Sequence, residues 1–327
     1  MEPIGVILVG GGKIGKTWLK TILENPCWKI KGVVDLNKEI LRELKDSFPL
    51  EGVVLTEDFR EAFKRIPASS CIIATPIDTH IPIAREAIEN GLAILCEKPL
   101  TLDWEEVNPL LSLYRKKRPP FLVNQNYRSH PGIREMRKFI KREKTGKIGY
   151  ISLRFHRYLR TGDWREKLTE PILMDMSIHH FDLLRFLLGK DLQKVIAVKS
   201  FHPPWSWMKG NGAVTAILEF EENIIVDYYG SWVERGTSTP WVGNWKVEGE
   251  KGAIYLEGDK KLFFVPAEKE IELPIPIREK EYSNSLNWTL EKFENAIRGK
   301  EDPEVKGITL EENLKSLRII QEILSNL

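Results

Sequence analysis

Residues 4–15 constrain this chain more than any other stretch. Ile4-Gly5-Val6-Ile7-Leu8-Val9 is a short apolar run, the pattern of a strand buried on both faces. Gly10-Gly11-Gly12-Lys13-Ile14-Gly15 follows, and a helical stretch runs from about Lys13 to Glu24. A Gly-x-Gly-x-x-Gly between strand and helix lets the backbone and the helix N-terminus approach a pyrophosphate. A glycine-rich turn with no ligand fits the same six letters. The next strand, Ile30-Lys31-Gly32-Val33-Val34-Asp35, decides it by ending in a carboxylate 20 residues after Gly15. That is the spacing at which an acidic residue hydrogen-bonds the adenosine ribose hydroxyls. Gly10, Gly12, Lys13, Ile14, Gly15 and Asp35 are therefore the candidate dinucleotide contacts.

Alternation of strands and helices continues. A helix is expected near 37–46, a strand near 52–55, a helix near 57–65 and a strand over Ser70–Thr75. A helix follows His80, and the strand Leu92–Cys96 runs into Glu97-Lys98-Pro99. This order predicts a doubly wound parallel sheet, whose ligands bind beyond the carboxyl ends of the strands. Glu97 and Lys98 stand at such an end, although a Glu-Lys pair before proline also suits a solvated turn.

The chain has 327 residues, enough for two cores. Its 49 basic and 47 acidic residues leave a net charge of +2, so no global field attracts nucleic acid or an anionic membrane. No apolar run approaches the ~18 residues of a membrane span, and none reads as a signal peptide. Cys27, Cys71 and Cys96 lack Cys-x-x-Cys spacing and read as thiols in a reducing cytoplasm.

The second half carries a different signal. Residues 170–189 read as one buried helix, with Pro171 near its start and Gly189 at its stop. Asp175, His179 and Asp182 stand at i, i+4 and i+7, sharing one face within roughly 60° of arc. Buried charges need partners. They form either a structural network or an acid/base pair facing a ligand. A metal site built on His179, His180 and Asp182 is not expected, because three ligands on one helix do not converge on an ion. Segments 193–200, 213–220, 223–230, 244–249, 252–257 and 260–265 are short and strand-like. They predict a large open, mainly antiparallel sheet with helices on one face. The tryptophans among them suit core or subunit interface. Helices are expected at about 283–298 and 309–325. The fold class is thus α/β, with a Rossmann domain at 1–125 and a substrate-binding and oligomerisation domain at 126–327.

Gly10-x-Gly12-x-x-Gly15, Asp35, Ala74-Thr75-Pro76 with His80, Glu97-Lys98-Pro99 and Asp175-x-x-x-His179-x-x-Asp182 occur in this order along the chain. Together they resemble the glucose–fructose oxidoreductase/inositol dehydrogenase (Gfo/Idh/MocA) family of nicotinamide-dependent oxidoreductases, over nearly the whole chain. The resemblance implies Lys98, Asp175 and His179 as catalytic residues. His180 would then point about 100° away from the proton acceptor. It also implies cofactor contacts from Thr75, Pro76, His80, Glu97 and Lys98, and from Trp164 and Arg165. The chain has Glu170-Pro171-Ile172-Leu173 where the family often carries Gly-Gly, which alters the pocket. Gln125-Asn126-Tyr127-Arg128 looks like the crossover into the second domain. Tyr127, Arg128 and His156 join Lys98, Asp175 and His179 as candidates for holding substrate.

The resulting expectation is a cytoplasmic dehydrogenase that uses NAD rather than NADP. It would move hydride between nicotinamide and a secondary alcohol of a sugar, sugar derivative or cyclitol. A homodimer or homotetramer through the C-terminal sheet is expected, with no nucleic acid or membrane partner. Two rivals on the same scaffold are an NAD-dependent glycosidase and a non-catalytic NAD-sensing regulator. Retention of all three catalytic residues argues against the regulator.

Overall fold

A computed structural model describes residues 2–160, 162, 164–280, 282 and 284–327, without the side chain of Trp164. The chain divides into two compact units: Met1–Gln125 with Leu286–Asn313, and Asn126–Ser285 with Leu314–Leu327.

The first unit is a six-stranded parallel sheet. It is built from β1 (Ile4–Val9), α1 (Lys13–Leu23), β2 (Trp28–Val34), α2 (Lys38–Ser47) and β3 (Val54–Thr56), then α3 (Phe59–Arg65), β4 (Ser70–Ile73) and α4 (His80–Glu89). β5 (Ala93–Cys96), α5 (Val107–Lys117) and β6 (Phe121–Val123) complete it. The strand order is β3-β2-β1-β4-β5-β6, with the reversal of direction between β1 and β4. β1, β4 and β5 are almost wholly buried, as their apolar runs require of central parallel strands. Asn37 and Asp58 cap α2 and α3 by accepting backbone N–H bonds. The doubly wound sheet expected from the alternation is present.

A single second domain over 126–327 does not describe the molecule. Leu286–Asn313, which includes most of α8 (Ser285–Ile297) and all of α9 (Pro303–Gly307), returns to the first unit. Phe293 of α8 stacks on Trp28 of β2, 5.5 Å between centroids. Leu122 bridges Thr309, which adds an edge contact to β6. Both contacts pair residues far apart in the chain, which no local periodicity records.

The second unit runs through α6 (Pro131–Lys141), β7 (Ile148–His156), α7 (Ser177–Leu188), β8 (Leu192–Phe201), β9 (Ala213–Phe220) and β10 (Ile224–Ser231). It continues through β11 (Asn244–Gly249), β12 (Gly252–Glu257), β13 (Lys261–Pro266) and β14 (Leu273–Pro274), and takes the end of α10 (Leu310–Leu324). Its eight-stranded sheet has the order β14-β13-β12-β11-β7-β10-β9-β8. β7 and β10 run parallel, and the other pairings are antiparallel, so the expected mainly antiparallel sheet is there. Alternation fixes the faces: Ile151, Leu153, Phe155, Val226 and Tyr228 are buried, while Tyr150, Ser152 and Arg154 face the other way. Phe181 of α7 packs on Tyr228, 5.0 Å between centroids. Among the described residues no helix is long and apolar enough to cross a membrane.

Candidate active site

The glycine turn is shaped by backbone crowding. Gly10 has φ +99°, and a Cβ there would lie 2.4 Å from the Ala74 carbonyl oxygen. A Cβ on Gly15 would lie 2.0 Å from the Gly10 oxygen, so α1 packs directly on the turn. Gly12 differs: a Cβ there meets nothing within 4 Å. It borders open space at the start of α1, where no side chain caps the helix. An uncapped N-terminus beside open backbone suits a pyrophosphate. Lys13 and Ile14 are exposed on that first turn.

Asp35 leaves β2 beside this turn. Its Oδ2 accepts from Gly11 N at 2.7 Å and its Oδ1 from Asn37 N at 2.8 Å. Each carboxylate oxygen has a second lone pair, so both can still accept a ribose hydroxyl. These residues therefore fit a dinucleotide whose ribose is unphosphorylated.

At the ends of β4 and β5 the expected residues divide. Thr79 Oγ1 donates to Pro76 O at 2.6 Å and lies 2.7 Å from Thr75 Oγ1, which sets the loop after β4. His80 is buried between two carbonyls, Nδ1 3.0 Å from Pro99 O and Nε2 2.9 Å from Thr75 O. It ties the loops after β4 and β5 together. Its burial lowers the imidazole pKa, outweighing the two carbonyls and Glu97, which raise it. Glu97 points inward: Oε1 accepts from Trp18 Nε1 at 2.7 Å and Asn124 Nδ2 at 2.8 Å. Thr289 of α8 donates to Asn124 Oδ1 at 2.8 Å. Glu97 thus anchors α1, β6 and α8 to the end of β5, directly before half-buried Lys98. Trp18, Asn124 and Thr289 carry no sequence pattern that marks them as its partners.

In the second unit the stretch expected as one regular helix has two parts. Ile172–Met176 form a π-helical turn, and α7 begins at Ser177. Ser177 Oγ donates to Ile172 O at 3.1 Å across this wide turn. The i, i+4 arithmetic of a regular helix therefore does not hold at Asp175. Asp175 is buried and accepts from Arg165 Nε at 2.7 Å. His179, also buried, carries the ring of Tyr127 flat on its imidazole, 4.0 Å between centroids. Burial raises the Tyr127 pKa, the Asp175 carboxylate raises it further, and Arg157 lowers it. Tyr127, His179, Asp175, Arg165 and Arg157 therefore form one electrostatic neighbourhood. Nothing local in the sequence singles out Arg157.

Other candidates have structural engagements. Arg128 grips Asp182 in a bidentate pair at 2.6 and 2.7 Å and lies over the Phe186 ring. Asp182 also accepts from Ser316 Oγ at 3.3 Å. The stripe read along the helix thus splits between Arg165 at Asp175 and Arg128 at Asp182. His180 turns to the sheet, Nδ1 3.0 Å from the Tyr228 hydroxyl and Nε2 3.1 Å from Trp241 O. His156 Nδ1 stands 3.2 Å from Glu234 Oε2. The expectation for the Trp164 side chain lies outside the described residues.

Comparison with known proteins follows this geometry. Residues 4–125 match the oxidoreductase family described as having an NAD-binding Rossmann fold, and residues 133–255 match the GFO/IDH/MocA C-terminal domain. The inositol 2-dehydrogenase of Rhizobium meliloti is 31% identical over 58% of this chain and 56% of its own length. The levoglucosan dehydrogenase of Pseudarthrobacter phenanthrenivorans is 29% identical over 65% of this chain and 58% of its own. The chain thus spans little more than half the length of these two relatives. A solved oxidoreductase from Agrobacterium radiobacter, in complex with NAD+, L-tartaric acid and magnesium, superposes with a TM-score of 0.86 at 16% identity. That match covers 99% of this chain and 96% of the solved one, and it speaks to the fold.

Proposed function

The chain belongs to the Gfo/Idh/MocA family of NAD-binding oxidoreductases, and from that membership we propose that it interconverts a secondary alcohol and a ketone on a sugar, sugar derivative or cyclitol. Bound NAD supplies the hydride acceptor. His179 takes the hydroxyl proton at a ring nitrogen, and Tyr127 holds the imidazole plane by stacking. Lys98 Nζ holds the substrate oxygen and stabilises the negative charge that develops on it. Asp175 steadies the imidazole's surroundings and is itself balanced by Arg165. Arg128, locked to Asp182, supports α7 rather than the substrate.

The observation that supports this reading most is the buried imidazole of His179, covered by Tyr127 and preceded by a π turn that bears Asp175. A π turn departs from regular helix geometry and is frequent at functional sites. We also place the protein in the cytoplasm, on its three free cysteines. A homodimer or homotetramer through the half-exposed face of the eight-stranded sheet completes the proposal; Tyr150, Ile217, Ile225 and Tyr229 lie on that face.

Absorbance of NADH, followed with a panel of sugars, cyclitols and sugar acids, tests the reaction. Lys98→Met, which keeps the apolar stem, is expected to bind NADH yet lose at least about a hundredfold in turnover. No NADH from any polyol sinks the proposal. Loss of NADH binding in Lys98→Met reassigns Lys98 to the cofactor.

A further inference from the structure

Tyr228 and Gly230 stand two residues apart on β10, so both face the buried side of the eight-stranded sheet. Tyr228 is paired to Leu153 of β7 on one side and to Ala216 of β9 on the other, which fixes its backbone in mid-sheet. Its hydroxyl oxygen lies 2.9 Å from Ser177 Oγ and 3.0 Å from His180 Nδ1. These two contacts bracket the first turn of α7, the turn that carries His179. Ser177 Oγ also donates to Ile172 O at 3.1 Å, across the π turn that bears Asp175. One buried phenol is thus joined to the π turn through Ser177 and to the helix through His180.

Gly230 makes a second contact with the same turn. A Cβ there would lie 2.6 Å from Ile172 Cγ2 and 2.8 Å from the Tyr228 hydroxyl oxygen. Ile172, the first residue of the π turn, therefore lies against the strand only because position 230 has no side chain. This glycine has no positive φ, so packing and not backbone conformation calls for it. A π turn holds one residue more than an α turn and persists where its surroundings hold it. Relaxing it to a regular helix would rotate Asp175 by about 100° about the helix axis relative to His179.

We propose that Tyr228 and Gly230 are positioning residues of the site: β10 sets the π turn, and with it the angle between Asp175 and His179. This rests on the oxidoreductase reading above for the roles of Asp175 and His179, and on the packing at β10 for the positioning. Both residues act through Ser177 and Ile172, not on the substrate.

Hydrogen–deuterium exchange of the full chain reads the turn without a substrate. In Tyr228→Phe, which keeps the ring on Phe181, the amides of residues 173–179 are expected to exchange at least about tenfold faster, with those of 183–188 unchanged. Gly230→Ala should do the same from the strand side and Ser177→Ala from the helix side, and these two carry the test if the Phe variant does not fold. Rates with the panel of sugars, cyclitols and sugar acids are the second readout. In each variant kcat is expected to fall about tenfold, while KM and the Kd for NADH stay within about threefold and the acid limb of the pH profile is kept. Tyr228→Phe combined with Ser177→Ala should lose no more than about threefold beyond either single variant, because one link is broken twice. A lower melting temperature with unchanged exchange at 173–179 overturns the proposal. So do an unchanged kcat in all three variants and fully multiplicative losses in the double one. Faster exchange at the turn, in variants of a protein that oxidises nothing in the panel, leaves Tyr228 and Gly230 assigned to the turn and sinks the oxidoreductase reading.

Discussion

The phenol ring of Tyr127 lies flat on the imidazole of His179, 4.0 Å between centroids and 6° between planes. One face of the imidazole is thereby closed, and the ring works through its edge. Such stacking contributes about 0.5–1.5 kcal/mol beyond area burial. Its larger effect is to hold the nitrogen where a hydroxyl proton is transferred. Tyr127→Leu is expected to lower kcat by about tenfold with KM changed less. Tyr127→Phe keeps the ring and should stay within about threefold of the wild type. Steady-state rates of both variants check this. If the Phe variant loses as much as the Leu variant, the hydroxyl rather than the ring carries the effect.

Asp35 sets the choice of cofactor. Both its oxygens are held by backbone N–H groups, so the carboxylate cannot swing away from an incoming 2′-phosphate. At about 4 Å and an effective dielectric near 20, one unit of repulsion is about 4 kcal/mol. NAD is therefore expected to exceed NADP by at least about a hundredfold in kcat/KM. Asp35→Asn removes the charge and should cut that ratio by at least about tenfold, chiefly by improving NADP. Equal use of the two cofactors by the wild type would remove Asp35 from this role.

The parts of the fold that were legible in the sequence are those with a local cause. The glycine turn, Asp35 at the end of β2 and the apolar runs of β1, β4 and β5 each state their geometry within a few residues. The π turn at Ile172–Met176 was invisible, since widening a turn by one residue leaves the apolar pattern nearly unchanged. Partner choice was invisible for another reason. Glu97 finds Trp18 and Asn124, and Asp182 finds Arg128, across separations of 79, 27 and 54 residues. Only the folded chain decides which cation reaches which carboxylate.

His80 gives stability a sign with pH. Burial holds its pKa below the ordinary 6.5, so the folded chain stays neutral where the unfolded chain takes up a proton. Between these two values the unfolded state binds more protons, and stability rises with pH. The contribution is complete above about pH 6.5 and is lost as pH falls towards the folded value. Below about pH 6.5 the melting temperature of the wild type should therefore climb with pH more steeply than that of His80→Gln. Parallel curves for the two proteins would mean that His80 keeps its proton when folded.

The helix bearing Asp175 and His179 admits a purely structural role and an acid/base role, and rates against pH separate them. If His179 accepts the substrate proton it must be neutral, so alcohol oxidation falls on the acid side of its titration. His179→Ala should abolish that limb and leave a slow, pH-flat residue of activity in a folded, NADH-binding protein. Asp175→Asn and Arg165→Met break the 2.7 Å pair from either side. Each removes a part-buried ion pair, so both should lower the melting temperature by several degrees. Both should keep the acid limb, with a lower plateau, because the imidazole is still there to titrate. A structural role for His179 predicts a different pattern: all three variants melt earlier, and whatever activity remains follows the wild-type profile. Curves of kcat/KM against pH and melting temperatures for the four proteins decide between them. An acid limb that persists in active His179→Ala would mean that another group accepts the proton.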